Sequence, residues 1–302
     1  MRAEGHLIFG AVREAAEIGR RAEVHAHVSH LKLEGRRAWG RSCELLALVD
    51  ESGVTTDQYP YTAWETDLAS FLPAWAPVER LPELVADPDA RARLVRIIEE
   101  GEPDWESSVA DSGWESIVLE VEDPALADRD IASAAADRGM APVDLALELL
   151  CADPLTTVRG HGMDEDDVRA ILARPDVIVG SDGMAVAPEG KLRQTTLHPR
   201  SYGTFPRVLG RYARDAGLLS LESAVRKMTL LPAKVFGLGG RGVVAEGAVA
   251  DLVLFDPATV TDTAAFGDAH RYPEGIVAVI VAGEVAWDGE RRARAGQAVR
   301  RA

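Results

Sequence analysis

Apolar residues recur at helical spacing along the start of the chain (Leu7, Ile8, Val12, Ala15, Ala16, Ile18), with charges between them. Residues 6–22 are therefore expected to form a helix ending at Gly19. "EVHAHVSH" (23–30) then reads as a strand. "GRSCELLALVDESGV" is again helical and closes at Gly53, and "VTTDQYPY" is a short strand stopped by Pro60. A charged helix is expected over 81–100. "DWESSVADSGWESIVLEVED" holds short β runs, and two helices split at Gly139 and Pro142 follow it. "LTTVRGHG" is a strand, "MDEDDVRAILARP" a helix with acids in its first turn, and "DVIVGSDG" a strand. "LSLESAVRKMTLLPAKVFGL" is helical, with Ser220 as N-cap and Glu222 in the first turn. This alternation predicts an α/β domain with parallel strands over 1–240. The tail changes character: "GVVAEGAVADLVLFDP" and "IVAVIVAGEVAWDG" predict a small β segment over 241–302.

Composition narrows the function classes. The 302 residues carry a formal net charge of -16, which repels polyphosphate and anionic membrane surfaces and argues against a nucleic-acid partner. No run approaches ~20 apolar residues, so no membrane-spanning helix is expected. The N-terminal stretch lacks a secretory h-region. Two distant cysteines, Cys43 and Cys151, make neither a disulfide framework nor a CxxC site, which fits a reducing, cytoplasmic compartment.

Three of the seven histidines lie in residues 25–30. Side chains alternate along a strand, so Val24, Ala26, Val28 and His30 share one face, and His25, His27 and Ser29 the other. The pair "HAH" has metal-ligand spacing but lies mid-strand on the face away from the small apolar one, where a structural role is expected. His30 ends its strand, where a ligand at the mouth of a barrel and a satisfied structural histidine are equally open. Asp182 ends the run "DVIVGSDG", although Asp-Gly is also a common turn. Two such groups at strand ends of one α/β domain suggest metal-assisted hydrolysis.

Longer blocks carry a resemblance. "VSHLKLEGRRAWGRSCELLALVDESGVTTDQYPYTAWETDL", "HGMDEDDVRAILARPDVIVGSDG", "LHPRSYGTFPRVLGRYARDAGLLSLESAVRKMTLLPAKVFGL" and the tail "GVVAEGAVADLVLFDPATVTD" are together similar to the D-aminoacylase (N-acyl-D-amino-acid deacylase) branch of the amidohydrolases. The resemblance runs from Met1 to about Gly289. It implies a (β/α)8 TIM-type barrel with zinc at its mouth, and hydrolysis of N-acyl-D-amino acids to a carboxylate and a D-amino acid. It implies that His30 is a zinc ligand and Asp182 the general base. For the substrate carboxylate it makes Arg200 the candidate cation, with Tyr202 nearby in sequence and Lys32 as a second cation; a structural ion pair of Arg200 is equally open. Tyr59 stands where some relatives have a histidine ligand, and is expected to line the pocket or pack its mouth. His161 is expected to cap the next helix and His198 to order its loop. Residues 70–135 resemble an insertion placed to cover the pocket.

The same resemblance implies what this sequence does not contain: an N-terminal β segment, an HxH on an early strand and a cysteine ligand. Four barrel strands are expected, at about 24–30, 54–61, 155–161 and 177–182, where a complete barrel has eight. The fold expected is thus the C-terminal half of a metal-dependent hydrolase barrel plus a small β segment. Two predicted donors are fewer than the three of a catalytic zinc site. Open sheet edges would favour self-association, and a non-catalytic remnant or assembly module is the alternative reading.

Overall fold

The computed structural model describes residues 1–190, 193, 197–290 and 292–299. Helix α1 (Ile8–Ala22) runs past the expected stop at Gly19, because Glu23 adopts the left-handed cap and donates its N–H to the Arg20 and Gly19 carbonyls. Strand β1 is only His27–Val28, since His30 already turns into the left-handed region (φ 44°). Helix α2 (Ser42–Ser52) ends at left-handed Gly53, as read, and leads into β2 (Thr55–Gln58). The β1 and β2 strands pair in parallel, and β6 (Ile178–Val179) pairs in parallel on the other side of β2.

These three strands form an open sheet in the order β1-β2-β6; the barrel is not closed. The fourth expected barrel strand is a correction. Strand β5 (Thr157–Gly160) lies in a separate antiparallel sheet, between β3 (Trp64–Asp67) and β4 (Ile117–Glu120). A reason is visible at one position. Gly160 sits opposite Trp64, and a Cβ there would fall 2.0 Å from the indole, so the glycine admits the ring between the strands.

The antiparallel sheet shares one core with α3 (Leu81–Ala86), α4 (Pro88–Glu100), α5 (Ser108–Ser112), α6 (Ile131–Asp137) and α7 (Pro142–Ala152). Its core includes Trp64, Leu68, Leu94, Ile117, Leu145 and Val158, so residues 70–135 share their core with the strands on either side. The single helix expected over 81–100 is two. Asp87 is extended, its carboxylate accepts from the Asp89 and Ala90 N–H groups, and Pro88 opens α4. A second core joins α1, α2 and the parallel sheet through Ile8, Val12, Val28, Leu45, Ile171 and Val177.

Helix α8 (Glu165–Ala173) is capped by Asp164, not by His161. After β6, α9 (Arg200–Arg207) contains Pro206 and continues as a π-helical stretch through Val208–Asp215. The helix expected near the end divides into α10 (Leu221–Met228), capped by Ser220 as read, and α11 (Leu230–Phe236), because Thr229 leaves helical geometry. The tail forms an antiparallel meander of β7 (Leu252–Phe255), β8 (Ile276–Val281) and β9 (Glu284–Trp287). Among the described residues no helix is long and apolar enough to cross a membrane.

Candidate active site

The site gathers at the C-terminal ends of the parallel strands. Asp57, on β2, fixes the turn after β1. One carboxylate oxygen accepts the His30 backbone N–H at 2.8 Å, and the other accepts from His27 Nε2 at 2.8 Å and Ser29 Oγ at 3.1 Å. Burial alone would raise its pKa, but the hydrogen bonds from His27 and the His30 backbone hold it below the usual range. His27 Nδ1 and His25 Nε2 both meet Thr55 Oγ1 at 2.8 Å, and the His27 ring packs edge-on against Phe236. The HAH pair is thereby occupied in strand pairing.

His30 and Asp182 line one cavity of about 350 Å³, together with Lys32, Tyr59 and Arg200. His30 Nδ1 lies 2.8 Å from both Glu4 Oε1 and Lys32 Nζ, and Lys32 Nζ donates to Glu4 Oε2 at 2.7 Å. Lys32 is buried; desolvation works against its charge, and the Glu4 carboxylate more than restores it, so its pKa is raised. Burial likewise works against the Glu4 charge, but Lys32 and the hydrogen bonds from His30 and Lys32 bring its pKa down to about 2. Arg200 Nη1 pairs with Asp182 Oδ2 at 3.0 Å. The Arg200 guanidinium and the Lys32 ammonium lie 5.0 and 5.6 Å from the Tyr59 ring centroid. Burial pushes the Tyr59 phenol up to about 12.

His198 explains how Arg200 is held. Its backbone N–H donates to Glu65, its Nε2 faces the Ala63 carbonyl at 3.0 Å, and its Nδ1 accepts the Arg200 N–H at 3.0 Å. The expected loop-ordering role of His198 thus reaches the cavity wall. His161 stands apart, bonded to Arg159 and edge-on to Phe266. Tyr202 does not join the group either. Its hydroxyl meets His270 Nδ1 at 3.2 Å, its ring packs on Tyr272, and it lines a second groove.

Several lining residues carried no signal in the sequence. Glu4 precedes the first helix, and Glu34, Trp64 and Glu65 lie in segments where acids and indoles are unremarkable. Burial raises Glu34 to about 7. Segment 70–135 contributes Ser70, Phe71, Trp105, Glu106 and Ser108 to the wall.

Residues 52–286 match the amidohydrolase family as a sequence profile. The chain is 38% identical to a D-aminoacylase of Alcaligenes xylosoxydans xylosoxydans over 291 residues, which covers 95% of this chain and 50% of that protein. It belongs to the D-aminoacylase/N-acyl-D-amino-acid deacylase family of amidohydrolases. An N-acyl-D-glutamate deacylase of the same organism is 35% identical, with 94% and 49% covered. A crystal structure of D-aminoacylase superposes with a TM-score of 0.74 at 36% identity, covering 96% of this chain and 52% of that one. The N-acyl-D-glutamate deacylase of Bordetella bronchiseptica, solved with zinc and a phosphonate inhibitor, superposes with a TM-score of 0.77 at 32% identity, covering 99% and 55%. The chain therefore spans about half the length of the curated relatives it matches.

The zinc of that relative raises the question of fit. Among the described residues no group of three or more His, Cys, Asp or Glu side chains is placed to hold a metal ion. The two candidate donors each face a cation of the chain itself, His30 the Lys32 ammonium and Asp182 the Arg200 guanidinium. The described residues do not fit a metal centre.

Proposed function

We propose that this chain takes part in hydrolysis of the amide bond of N-acyl-D-amino acids, giving a carboxylate and a D-amino acid. One observation carries the reading: five residues distant in sequence, His30, Lys32, Tyr59, Asp182 and Arg200, line a single cavity. Arg200, buried and aligned through His198, is a ready partner for the substrate carboxylate. Asp182 is engaged by Arg200 through Oδ2, and the base role falls to Oδ1. In this scheme Asp182 accepts a proton from water as the water attacks the amide carbonyl. It then delivers that proton to the leaving amine. No step is assigned to a metal, because the donors present do not fit one.

The relatives are twice as long, so turnover is expected only once the rest of the barrel is supplied. The test fuses the half of the Alcaligenes D-aminoacylase outside the matched region to the front of this chain. The fusion should hydrolyse N-acetyl-D-methionine and spare the L-isomer. The 302-residue chain alone should show little or no turnover and poor solubility. A folded fusion without deacylase activity would remove the proposal. It would favour the second reading, a non-catalytic assembly module, for which the open order β1-β2-β6 of the parallel sheet speaks.

A further inference from the structure

The cavity wall carries more acid than base. Its carboxylate side chains are Glu4, Glu34, Glu65, Glu106 and Asp182; its lysine and arginine side chains are Arg2, Lys32 and Arg200. Each of these three cations is already in an ion pair, Lys32 with Glu4, Arg200 with Asp182 and Arg2 with Glu14. Glu65 accepts the His198 N–H at 2.6 Å. Glu106 accepts the Glu4 and Gly5 N–H groups at 3.0 and 2.9 Å, and that of Leu7, so it fastens the segment ahead of α1. Glu34 is different: its Oε1 is buried with no hydrogen-bond partner among the described residues. Buried polar atoms are nearly always paired, so an unmet acceptor on a cavity wall points to a donor supplied from outside the chain. Burial outweighs the pull of Ser108 and Lys32 on this carboxyl and raises its pKa to about 7, a shift that a bound cation would oppose.

Contacts along the wall order its charges. Arg200 and Lys32 lie against the Tyr59 ring, and Lys32 bonds Glu4. The Glu4 backbone then meets both remaining acids: its carbonyl accepts the Glu34 N–H at 2.9 Å, and its N–H donates to Glu106. A Cβ at Gly5 would fall 3.0 Å from the Glu34 carbonyl oxygen and 3.1 Å from Glu106 Oε1, so the two acids are neighbours. A ligand whose carboxylate is held by Arg200 therefore meets Glu34 with another of its parts, and that part must donate hydrogen bonds. In an N-acetyl amino acid the acyl group offers only a methyl and an acceptor, which leaves the side chain. Trp64, Phe71 and Trp105 line the same cavity and offer ring faces to a planar cation. We propose that Glu34 is a specificity-determining residue, and that the cavity selects N-acyl-D-amino acids with a cationic side chain, N-acyl-D-arginine foremost, against those with an acidic one. The class of ligand rests on the proposed function; the choice of side chain does not.

The test measures binding of N-acetyl-D-arginine, N-acetyl-D-methionine and N-acetyl-D-glutamate to the full chain by titration calorimetry at pH 8, where a carboxyl raised to about 7 is ionised. The arginine probe should bind about tenfold tighter than the methionine probe, the gain of one charge-assisted hydrogen bond, and the glutamate probe should bind weakest. The net charge of -16 by itself ranks the three probes in this order, so the variants decide. Glu34→Gln should bring arginine to within about twofold of methionine and leave methionine binding unchanged. Glu51→Gln makes the same change of charge at an exposed position of α2 and should leave the ranking as it was. Three results would overturn the proposal: glutamate binding as tightly as arginine, an arginine preference that survives Glu34→Gln, or no binding by any of the three probes. The deacylase reading is judged separately, by turnover of N-acetyl-D-methionine in the fusion. Turnover there without an arginine preference here would remove the proposal and leave that reading standing.

Discussion

Asp182 lies at the end of β6 in the left-handed region (φ 48°), a conformation that costs a non-glycine residue energy and that Asp tolerates better than most. The turn carries its carboxylate to Arg200 at 3.0 Å. Asp182→Asn keeps the shape and removes the basicity, so in the active fusion kcat should fall at least about 10²-fold with KM little changed. Retained turnover would take Asp182 out of the base role. Glu34 offers a different test at the same scale. Burial raises its pKa from 4.5 to about 7, so the folded chain holds a proton that the unfolded chain has released. Stability contributed by the protonated form is present at pH 4.5 and is lost as the pH rises toward 7. Glu34→Gln cannot ionise, and by pH 8 it should be more stable than the wild type by about 3 kcal/mol, with the gap closing in acid. Chemical denaturation at several pH values measures this. Glu120, buried and raised in the same way, leaves a residual slope in the variant.

At the scale of elements, what could be read from the sequence follows from local chemistry. The Gly53 stop of α2, the break at Gly139 and the Ser220 cap of α10 are each set by one or two residues, and each stands in the structure. Where several signals compete, the local reading loses. Gly19 yields to Glu23 as the cap of α1, and Asp87-Pro88 divides a continuous charged pattern into α3 and α4. The antiparallel sheet was the least legible part. "WETD" has no apolar alternation, and the four residues of β5 say nothing about which strand lies beside them. Of the residues singled out at strand ends and in the quoted motifs, His30, Lys32, Tyr59, Asp182 and Arg200 line one cavity. Tyr202, two residues past Arg200, faces another groove, since residues two apart on a helix do not share a face. Glu4, Glu34 and Trp64 enter through tertiary packing alone. The Trp64–Gly160 pair yields the prediction at this scale. Gly160→Ala would drive a methyl into the indole, and should cost about 1–3 kcal/mol of stability by displacing Trp64 from the sheet and the cavity wall. A melting curve with unchanged midpoint would show that the ring has room to move.

Across the molecule, apolar surface and strand edges unpaired among the described residues lie open together. The parallel sheet ends at β1 on one side and β6 on the other. Between α9, the π-helical stretch and the β7–β9 meander runs a groove of about 890 Å³, lined by Phe205, Leu209, Val244, Val253 and Phe255 among others. Val244 is 91% exposed and Val253 55%. Patches of this kind on soluble proteins mark contact surfaces. Opposing them is the net charge of -16, which keeps copies of the chain apart over a Debye length of about 10 Å at 0.1 M salt. The two forces respond to salt in opposite ways. If apolar contact drives assembly, screening removes the repulsion, and the weight-average mass from light scattering should rise between 0.05 and 0.5 M sodium chloride (about 14 and 4 Å of screening length). Assembly through ion pairs would instead weaken over that range. Val244→Glu adds charge to the groove at a position where the side chain is almost wholly in solvent, so folding should be unaffected and the rise in mass blunted. A chain that stays monomeric at every salt concentration would show that these surfaces do not bind one another.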